Sequence, residues 1–478
     1  MLLGALLWWL APESGTDRAA QVARSAFARA APLTPVDLSW YSGTHPYGYS
    51  VLAPAVMAVL GVGLAGLLAA VAAAALLGRL LRGTERPLLG SLLGAVFCVA
   101  DVASGRTTFA LGAVAALGAL VALPRRGRAA GLAVLTALLS PVAAAFLGLA
   151  AAVLVLHGRA AGWTLGVAAA LPVVVVAALF PAGGVQPFRT SSAWWAVAAG
   201  LLLAVLTDLP LLRTGGLLYA GAVLILVVTR DPFGSNVLRL GLLLAAPLVV
   251  ATARRRILVV LAVAAALLQW QARPTLADLR APAPPPTRTL ERALARLEVR
   301  RVEIVPLRDH GETATVGRTF VLARGWSRQT DRQQDALFYD GTLTAARFTA
   351  WLHEHSVDVV ALAPRAALDV AGRREAALLA GPVPGLVVVF EDRTWTVWKV
   401  VNPVPLAARP LRVVASRPTR LVVQAGGPAS GRVDVRWSRW LSVSGPACLE
   451  RDGDRVRLRF RSAGIAVLGS GLTPRGHC

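Results

Sequence analysis

The sequence is short of charged residues. Only 16% of its 478 residues are Asp, Glu, Lys or Arg, whereas an ordinary soluble domain carries about 25%. The deficit is local, because residues 1–272 contain 18 Arg and 7 acidic residues, whereas residues 273–478 contain 31 basic and 19 acidic residues. This distribution predicts a bilayer-embedded first part followed by a soluble domain. It excludes a wholly soluble enzyme, a disordered protein and a small disulfide scaffold.

Lysine is nearly absent, and almost all of the net charge of +23 comes from arginine, since Lys399 is the only lysine. The basic residues form no stripe with interleaved aromatic side chains, as a surface that binds nucleic acid would require. They accompany abundant Ala, Gly and Val, which is typical of GC-rich coding. No Walker, CxxC or HExxH sequence occurs. We therefore expect no nucleic-acid partner, no cofactor and no metal site.

The apolar runs of the first part predict a polytopic α-helical membrane protein with about 11 spans, since a spanning helix needs about 20 apolar residues. The first run has only ten residues, so either the start is late or this helix is truncated. A cleaved signal peptide is disfavoured because no basic region precedes the run. Pro141 favours two short spans over one long helix at 129–157. The predicted spans lie near residues 2–11, 50–78, 88–104, 107–123, 129–141, 142–157, 161–181, 193–209, 215–229, 236–252 and 256–271.

Three arginine clusters in short connections predict the orientation, because cytoplasmic loops carry an excess of arginine and lysine. With these clusters inside, the N-terminus is also inside, and residues 12–49 and 273–478 lie outside. The expected location is therefore the plasma membrane, with an extracytoplasmic C-terminal domain. The clusters are Arg79, Arg82 and Arg86; Arg125, Arg126 and Arg128; and Arg254, Arg255 and Arg256.

The C-terminal part begins with a Pro-rich linker at 273–290, which is expected to be stiff. Short apolar runs alternate with helical patterns over 291–402 and predict an α/β domain of βαβ type. Strands of period two, separated by Gly, Pro and Ser, predict a β-sandwich over 403–478. Cys448 and Cys478 lie in this domain, where they can form a disulfide or stay apart.

The first outer loop, 12–49, is rich in residues that can carry chemistry. Asp17 precedes a helical pattern, and a second group stands just before the next span. The aromatic side chains can belong to an interfacial belt and an aspartate can cap a helix. The functional alternative is a carboxylate site with aromatic side chains that bind a sugar or a lipid headgroup. The second group consists of Asp37, Trp40, Tyr41, His45 and Tyr47.

Further charged residues lie at membrane depth on the same predicted side as Asp17. Charges inside a membrane are costly and mark either function or an ion pair. Because arginine binds phosphate with two parallel hydrogen bonds, the group predicts a cationic site for a polyprenyl-phosphate headgroup. The alternative is an ion pair such as Asp101 with Arg106. The group consists of Asp101, Arg106, Arg189, Arg230, Asp231 and Arg239.

One more polar segment, residues 322–340 (LARGWSRQTDRQQDALFYD), stands out in the α/β domain. Trp326 and the aromatic residues near its end make it a candidate cap over the membrane site, with Trp326 contacting substrate. A solvated helix and turn is the alternative interpretation.

These features together resemble the GT-C superfamily of polytopic glycosyltransferases, which use polyprenyl-phosphate sugars. The strings WYSGTHPYGYSVLAP, SGRTTFALG, LLSPVAAAFLGL, GSNVLRLG and ARGWSRQTDRQQDALFYDG also resemble an actinobacterial group labelled "membrane protein" or "MFS transporter". In GT-C enzymes an acidic residue of the first outer loop is the catalytic base. The resemblance implies this role for Asp17, with Asp37 as second choice. The chain departs from the family because paired acidic residues are absent and Arg18 follows Asp17.

The resulting prediction is a membrane glycosyltransferase that transfers sugar from a polyprenyl-phosphate donor to an envelope glycan or lipid acceptor on the outer face. Arg106, Arg230 and Arg239 would neutralise the lipid phosphate as it leaves. The aromatic residues of the first outer loop would line the sugar pocket. The alternatives are a transporter or flippase of envelope precursors and a non-catalytic envelope scaffold. Against a transporter, the hydrophobic region has no repeat and no matching broken helices.

Overall fold

The computed structural model describes residues 15–188, 190–229, 231–255 and 257–478. The predicted span at 2–11, Arg189 and Arg230 lie outside the described residues. The chain divides into two compact units. The first comprises residues up to Gln21 together with Gly48–Ala281, and the second comprises Val22–Tyr47 together with Pro282–Cys478.

The first unit is a bundle of apolar helices. Helix α1 (Arg18–Ala30) contributes its first turn to this unit. The remaining helices are α2 (Ala53–Leu60), α3 (Val62–Leu80), α4 (Pro87–Ala103), α5 (Thr107–Val121), α6 (Arg126–Leu139), α7 (Pro141–Leu156), α8 (Ala161–Leu179), α9 (Thr190–Leu206), α10 (Pro210–Val228), α11 (Leu238–Thr252) and α12 (Ile257–Leu279).

Among the residues that the structure describes, five helical segments are long and apolar enough to cross a membrane, and four further apolar helices are shorter. The first unit therefore has the composition of a membrane-embedded bundle, whereas the count of 11 spans stays a prediction. The five segments are Val62–Leu80, Ala161–Leu179, Pro210–Val228, Gly234–Thr252 and Ile257–Leu279.

Proline and serine set several helix boundaries in the bundle. Helices α4, α7 and α10 begin with proline, whose fixed φ suits the first helical turn and whose missing N–H is not needed there. Between α6 and α7 the Oγ of Ser140 accepts a hydrogen bond from the Ala143 N–H at 3.3 Å. The prediction that 129–157 forms two helices rather than one is confirmed.

Hydrogen bonds define one end of the bundle, which we call the arginine end. Arg86 precedes α4, and its Nη1 donates to the carbonyl of Ala253, just after α11, at 2.6 Å. Nearby, the Nε of Arg254 lies 2.5 Å from the Oε1 of Glu85. Helix α5 begins at the opposite end, so the short connection that carries Arg125 also falls at the arginine end. The three arginine clusters predicted to share one side thus have described members at one end.

The second unit contains a five-stranded sheet with order β2-β1-β3-β5-β4. Strands β2, β1 and β3 are parallel, and β5 and β4 are added antiparallel. This is the predicted α/β domain. Its strands are β1 (Arg301–Ile304), β2 (Val321–Leu322), β3 (Val359–Leu362), β4 (Leu386–Glu391) and β5 (Thr396–Val400), and its helices are α13 (Arg288–Arg296), α14 (Gly311–Ala314), α15 (Arg328–Gln334), α16 (Ala345–Glu354) and α17 (Val370–Leu379).

The end of the chain forms two antiparallel sheets, with orders β6-β7-β12-β9 and β10-β11-β8, around one hydrophobic core. This agrees with the predicted β-sandwich. Cys448 on β10 is disulfide-bonded to Cys478. The strands are β6 (Arg412–Arg417), β7 (Arg420–Ala425), β8 (Ala429–Arg436), β9 (Leu441–Ser444), β10 (Ala447–Asp452), β11 (Arg455–Phe460) and β12 (Gly464–Ser470).

Two predicted boundaries differ from the structure. The linker was expected to begin at residue 273, but α12 continues to Leu279 with Pro274 inside it. The extended segment is therefore limited to 280–287, where the consecutive prolines prevent helix formation. The predicted outer loop 12–49 is also divided, since Val22–Tyr47 belongs to the second unit.

Residues 36–45 are integral to the second unit. The carbonyl of Ser39 accepts a hydrogen bond from Leu322 N at 2.8 Å, which connects the segment to the α/β domain. On the sandwich side, Leu38 N donates to the carbonyl of Pro418 and the carbonyl of Ser42 accepts from Arg436 N, both at 2.8 Å. This segment therefore connects the two domains of the unit.

A buried ion pair also joins these two domains. Arg301 on β1 is 2% exposed, its Nη1 pairs with Asp434 Oδ2 on β8, and its Nη2 donates to the Asp434 carbonyl at 2.8 Å. Arg455 on β11 approaches the other carboxylate oxygen with its Nε at 2.6 Å. Burial opposes ionisation of Asp434, but the two guanidinium groups outweigh it and lower its pKa.

We expect Asp434→Asn to destabilise the second unit by about 3 kcal/mol, because it leaves buried guanidinium groups without a counter-charge. The matched control is Asp454→Asn, whose side chain is 61% exposed although it also pairs with Arg455; it should cost less than about 1 kcal/mol. Urea unfolding of the full chain in detergent, followed by tryptophan fluorescence, measures both. Equal losses in the two variants would contradict the assigned role.

Candidate functional site

Four charged residues of the first unit meet at the bundle end opposite the arginine end, which we call the Asp17 end. The Oδ2 of Asp17 lies 2.8 Å from the Nη2 of Arg239 and 3.7 Å from the Nε of Arg106. The Nη1 of Arg106 lies 3.4 Å from the Oδ1 of Asp101. The structure thus brings together Asp17, Arg106 and Arg239, which were predicted to face one compartment.

The local backbone explains how residues so distant in sequence meet. Asp101 lies in the last turn of α4, Arg106 immediately precedes α5, and Arg239 lies in the first turn of α11. Asp17 immediately precedes α1, and its N–H donates to the carbonyl of Ser104 at 3.4 Å. All four positions are helix ends, so side chains from separate elements converge there.

Two glycines permit the close approach of the loop before α1 to the turn between α4 and α5. A Cβ atom on Gly15 would lie 2.5 Å from the carbonyl carbon of Ser104, and one on Gly105 would lie 2.3 Å from the nitrogen of Arg18. Both glycines also have positive φ, at +112° and +81°. Larger residues would push the two segments apart, so glycine at both positions holds Asp17 against the α4–α5 turn.

Three uncharged polar side chains beside this cluster were missed by the sequence analysis. Gln21 is 1% exposed, accepts a hydrogen bond from Thr108 Oγ1 at 2.5 Å and donates to Tyr49 Oη at 3.0 Å. The Nε2 of Gln21 also lies 3.4 Å from the carbonyl of Asp17. The sequence does contain one indication of this contact, because Asp17 and Gln21 are four residues apart at the start of one helix and therefore lie on the same face.

The charges of the cluster balance formally, with two carboxylates facing two guanidinium groups. Among the described members of the predicted cationic group, Asp101 and Asp17 each pair with an arginine, whereas Arg189 and Arg230 lie outside the described residues, so the cationic site stays a prediction. The alternative ion pair of Asp101 with Arg106 is present despite their spacing of five, since α4 ends between them. Side-chain exposures of 18% for Asp17 and 15% for Arg239 keep the cluster accessible.

The two oxygens of Asp17 differ in their contacts. Both guanidinium groups approach Oδ2, whereas Oδ1 accepts no hydrogen bond from the described part of the chain. The guanidinium of Arg239 also lies over the ring of Phe109, 5.7 Å from its centroid, which fixes its plane. One carboxylate oxygen is thus anchored and the other can accept a hydrogen bond from a ligand hydroxyl.

Several residues predicted to line the sugar pocket lie in the second unit instead. Trp40 and Tyr41 are 3% and 2% exposed and belong to the core of the α/β domain, where their large apolar surface is buried. The Tyr41 hydroxyl donates to the carbonyl of Gly325 at 2.7 Å. Neither ring is presented to a ligand, so the prediction of an aromatic pocket or interfacial belt does not hold for these two.

Asp37, the second choice for the catalytic base, is 4% exposed. Its Oδ1 accepts a hydrogen bond from Ser39 N at 2.8 Å, and its backbone pairs with Thr44. Burial raises the pKa of this carboxyl to about 6, although the hydrogen bonds from Ser39 oppose the rise. Its contacts are those of a turn residue that stabilises the segment between the two domains.

The remaining predicted residues also have assigned places. The Nε2 of His45 lies 2.9 Å from the Oγ of Ser438, and Tyr47 is partly exposed in a short 3₁₀ turn. Trp326 packs on the α/β core with Arg24 over its ring at 5.3 Å. Arg230 lies outside the described residues, so its predicted role at the lipid phosphate stays a prediction.

The polar segment 322–340 contributes a second charged cluster, inside the α/β domain. Arg324 is 3% exposed, and its Nε and Nη2 donate to Glu303 Oε1 on β1 at 2.9 and 2.7 Å. The same guanidinium pairs with Glu375 on α17 and lies 3.7 Å from Asp331 on α15. The alternative of a solvated helix and turn holds only in part, because Asp331 and Asp335 are buried whereas Arg328 and Arg332 are exposed, and the cap over the membrane site stays a prediction.

The single positive charge of Arg324 cannot compensate the negative charges of all the carboxyl groups around it. Burial raises the pKa of Glu375 to about 7 against the opposing effect of Arg324, and it raises the pKa of Glu303 well above its usual range. Within the described part of the chain, Glu303 Oε2 and Glu375 Oε1 have no hydrogen-bond partner. Like charges crowded in an apolar interior favour retention of protons.

This cluster predicts a pH dependence of stability opposite to that of a surface ion pair. Because the folded-state pKa of Glu375 is above the unfolded value, its stabilising proton is fully bound below about pH 4.5 and is lost as pH rises through about 7. We therefore expect the second unit to lose about 2 kcal/mol of stability between pH 5 and pH 8. Urea unfolding across this range measures the slope.

Glu375→Gln should flatten this slope, whereas Glu354→Gln should keep it, since Glu354 is exposed on α16. A slope that is unchanged in Glu375→Gln would contradict the assignment of the retained proton to this cluster.

A smaller charged group in the α/β domain contains His310 and Glu312. Their side chains approach within 3.3 Å, and Asp369 lies 3.8 Å from the other ring nitrogen. Burial favours the neutral form of His310, but the two carboxylates outweigh it and raise its pKa. The described residues contain no group of three or more His, Cys, Asp or Glu side chains that could hold a metal ion.

Comparison with known proteins adds no relative. No protein-family model matches the chain, and no curated protein matches it either. Function is therefore inferred from the contacts of the Asp17 end.

Proposed function

We propose that the protein is a membrane glycosyltransferase that transfers a sugar from a polyprenyl-phosphate donor to an envelope glycan or lipid acceptor on the outer face of the plasma membrane. The observation that carries the proposal is the contact of one carboxylate, Asp17, with two arginines at a single end of an apolar helix bundle. A general base and a phosphate-binding cation are the two groups that this reaction needs.

Each group has a defined part in the proposed reaction. Asp17 accepts the proton of the acceptor hydroxyl, whose oxygen attacks the anomeric carbon of the sugar. The bond from that carbon to the phosphate oxygen breaks, and the electron pair leaves with the polyprenyl phosphate. Arg239 and Arg106 neutralise the charge that develops on the leaving phosphate. The scheme uses no cofactor and no metal.

The proposed topology has eleven spans, with the arginine end in the cytoplasm and the Asp17 end outside, following the positive-inside rule. The second unit is proposed to be extracytoplasmic. The Cys448–Cys478 disulfide supports this side, because disulfides persist in oxidising compartments.

Thiol labelling tests the topology. In intact cells that express the full chain, a membrane-impermeant reductant followed by an impermeant maleimide should label Cys478, which is exposed. Without the reductant, an Arg125→Cys variant should be labelled only after permeabilisation, because Arg125 lies at the arginine end. The reverse pattern would place the second unit in the cytoplasm.

Transfer of radiolabelled sugar from polyprenyl-phosphate donors into extractable envelope glycans tests the activity. We expect Asp17→Asn to lower the rate about a hundredfold or more, because a general base is lost. Arg239→Gln should lower it about tenfold or more through loss of charge stabilisation. Asp208→Asn is the matched control, because Asp208 is an exposed aspartate of the same unit that follows α9 near the arginine end, and it should leave the rate unchanged.

Wild-type and variant levels in the membrane are compared first, so that loss of insertion is separated from loss of transfer. Persistent transfer by Asp17→Asn would remove Asp17 as the base. No transfer by the wild type from any donor would contradict the enzyme, and lipid translocation would then be measured to test the flippase alternative.

A further inference from the structure

The arginines that would bind a phosphate are already occupied by protein carboxylates. Arg239 gives its shortest contact, 2.8 Å from its Nη2, to Asp17, and Arg106 divides its contacts between Asp17 and Asp101. Among the described residues of this cluster, a phosphate headgroup that approached these guanidinium groups would be a third anion beside two cations. In a partly buried site this excess negative charge is unfavourable. Phosphate binding therefore requires one carboxylate to leave.

Asp17 is better placed to leave than Asp101. Its side chain is 18% exposed, against 7% for Asp101, so water can replace more of its lost contacts. It lies before the first turn of α1, whereas Asp101 is inside the last turn of α4. The backbone around Asp17 is held by the close contacts of Gly15 and Gly105. Rotation of one side chain is therefore enough to release Arg239 without movement of a helix.

We propose that a lipid phosphate headgroup exchanges with Asp17 on Arg239 and Arg106, so that donor binding itself releases the catalytic base. The inference rests on the proposed function and adds an order of events to it. In the contacts that the structure shows, Asp17 blocks the phosphate site. After the exchange, the phosphate holds the guanidinium groups and Asp17 is free to face the acceptor hydroxyl.

The exchange balances in charge. The donor is a phosphodiester with one negative charge, and it takes the place of one carboxylate on the arginines. Loss of neighbouring cations makes a carboxylate a better proton acceptor. After transfer, the leaving polyprenyl phosphate carries the second negative charge and Asp17 carries the proton of the acceptor, so the total charge of the site is unchanged.

The test is the binding of farnesyl phosphate, a short isoprenyl monophosphate, to the full chain in nanodiscs of zwitterionic phospholipid. If Asp17 competes with the phosphate, Asp17→Asn and Asp17→Ser should bind the probe at least about fivefold more tightly than the wild type. Asp17→Glu keeps the competing charge and should bind as the wild type does. Asp208→Asn controls for general loss of negative charge, and Arg239→Gln should bind more weakly.

The effect of Asp17→Asn should vanish in the Arg239→Gln background, because the two side chains compete through the same contact. Unchanged or weaker binding by both Asp17→Asn and Asp17→Ser would overturn the exchange. A gain that persists without Arg239 would also overturn it. Because two variants are used, the test remains valid if one of the variant proteins does not insert into the membrane.

Inorganic phosphate as competitor distinguishes the sources of the anion. If unlabelled farnesyl phosphate displaces the bound probe and inorganic phosphate does not, the site binds a lipid headgroup. If inorganic phosphate displaces the probe equally well, the site binds a free anion, and the lipid part of the inference is overturned. Tighter binding by Asp17→Asn without sugar transfer by the wild type would keep the exchange and reject the glycosyltransferase. Absence of binding by every variant would reject the exchange, whatever the transfer assay shows.

Discussion

An ionised side chain removed from water needs an opposite charge nearby, and this constraint shapes both units of the protein. Asp17 meets Arg239, Glu303 meets Arg324, and Arg301 meets Asp434. The first and last of these pairs connect residues far apart in sequence and so fix separate elements against each other. The middle pair gathers three elements of the α/β domain around one guanidinium. The cluster at the Asp17 end follows the same rule, which is why its arginines face carboxylates.

The sequence predicted those features that depend on local periodicity. Apolar runs gave most of the helices, and Pro141 correctly divided 129–157, because proline restricts the residue before it and begins the next helix. Helix direction followed from the arginine-rich connections. The direction of each helix determines which end of the bundle carries Asp17, Arg106 and Arg239. Their proximity was therefore accessible from the sequence, but the pairing of particular atoms was not.

Features that depend on contacts between distant segments were missed. Trp40 and Tyr41 have the composition of an interfacial belt, yet they are buried because residues 36–45 hydrogen-bond to the α/β domain and to the sandwich. The segment around Arg324 is polar enough to be solvated, and the burial of this arginine depends on its contacts with Glu303 and Glu375. A sequence pattern indicates the polarity of a segment. It does not indicate which charged residues from distant parts of the chain will contact that segment.

The arginine-rich composition means that residue type alone does not identify the arginines of the candidate site. With a single lysine in 478 residues, the choice of arginine over lysine at any position carries no information about phosphate. What distinguishes Arg106 and Arg239 from the many others is their position, partly buried, at helix ends and against the carboxylate of Asp17. The arginines of the opposite end lie mostly in exposed connections, where their charge can orient a membrane protein without binding a ligand. Position within the bundle, and not residue type, therefore distinguishes the arginines of the proposed site from those that can orient the protein in the membrane.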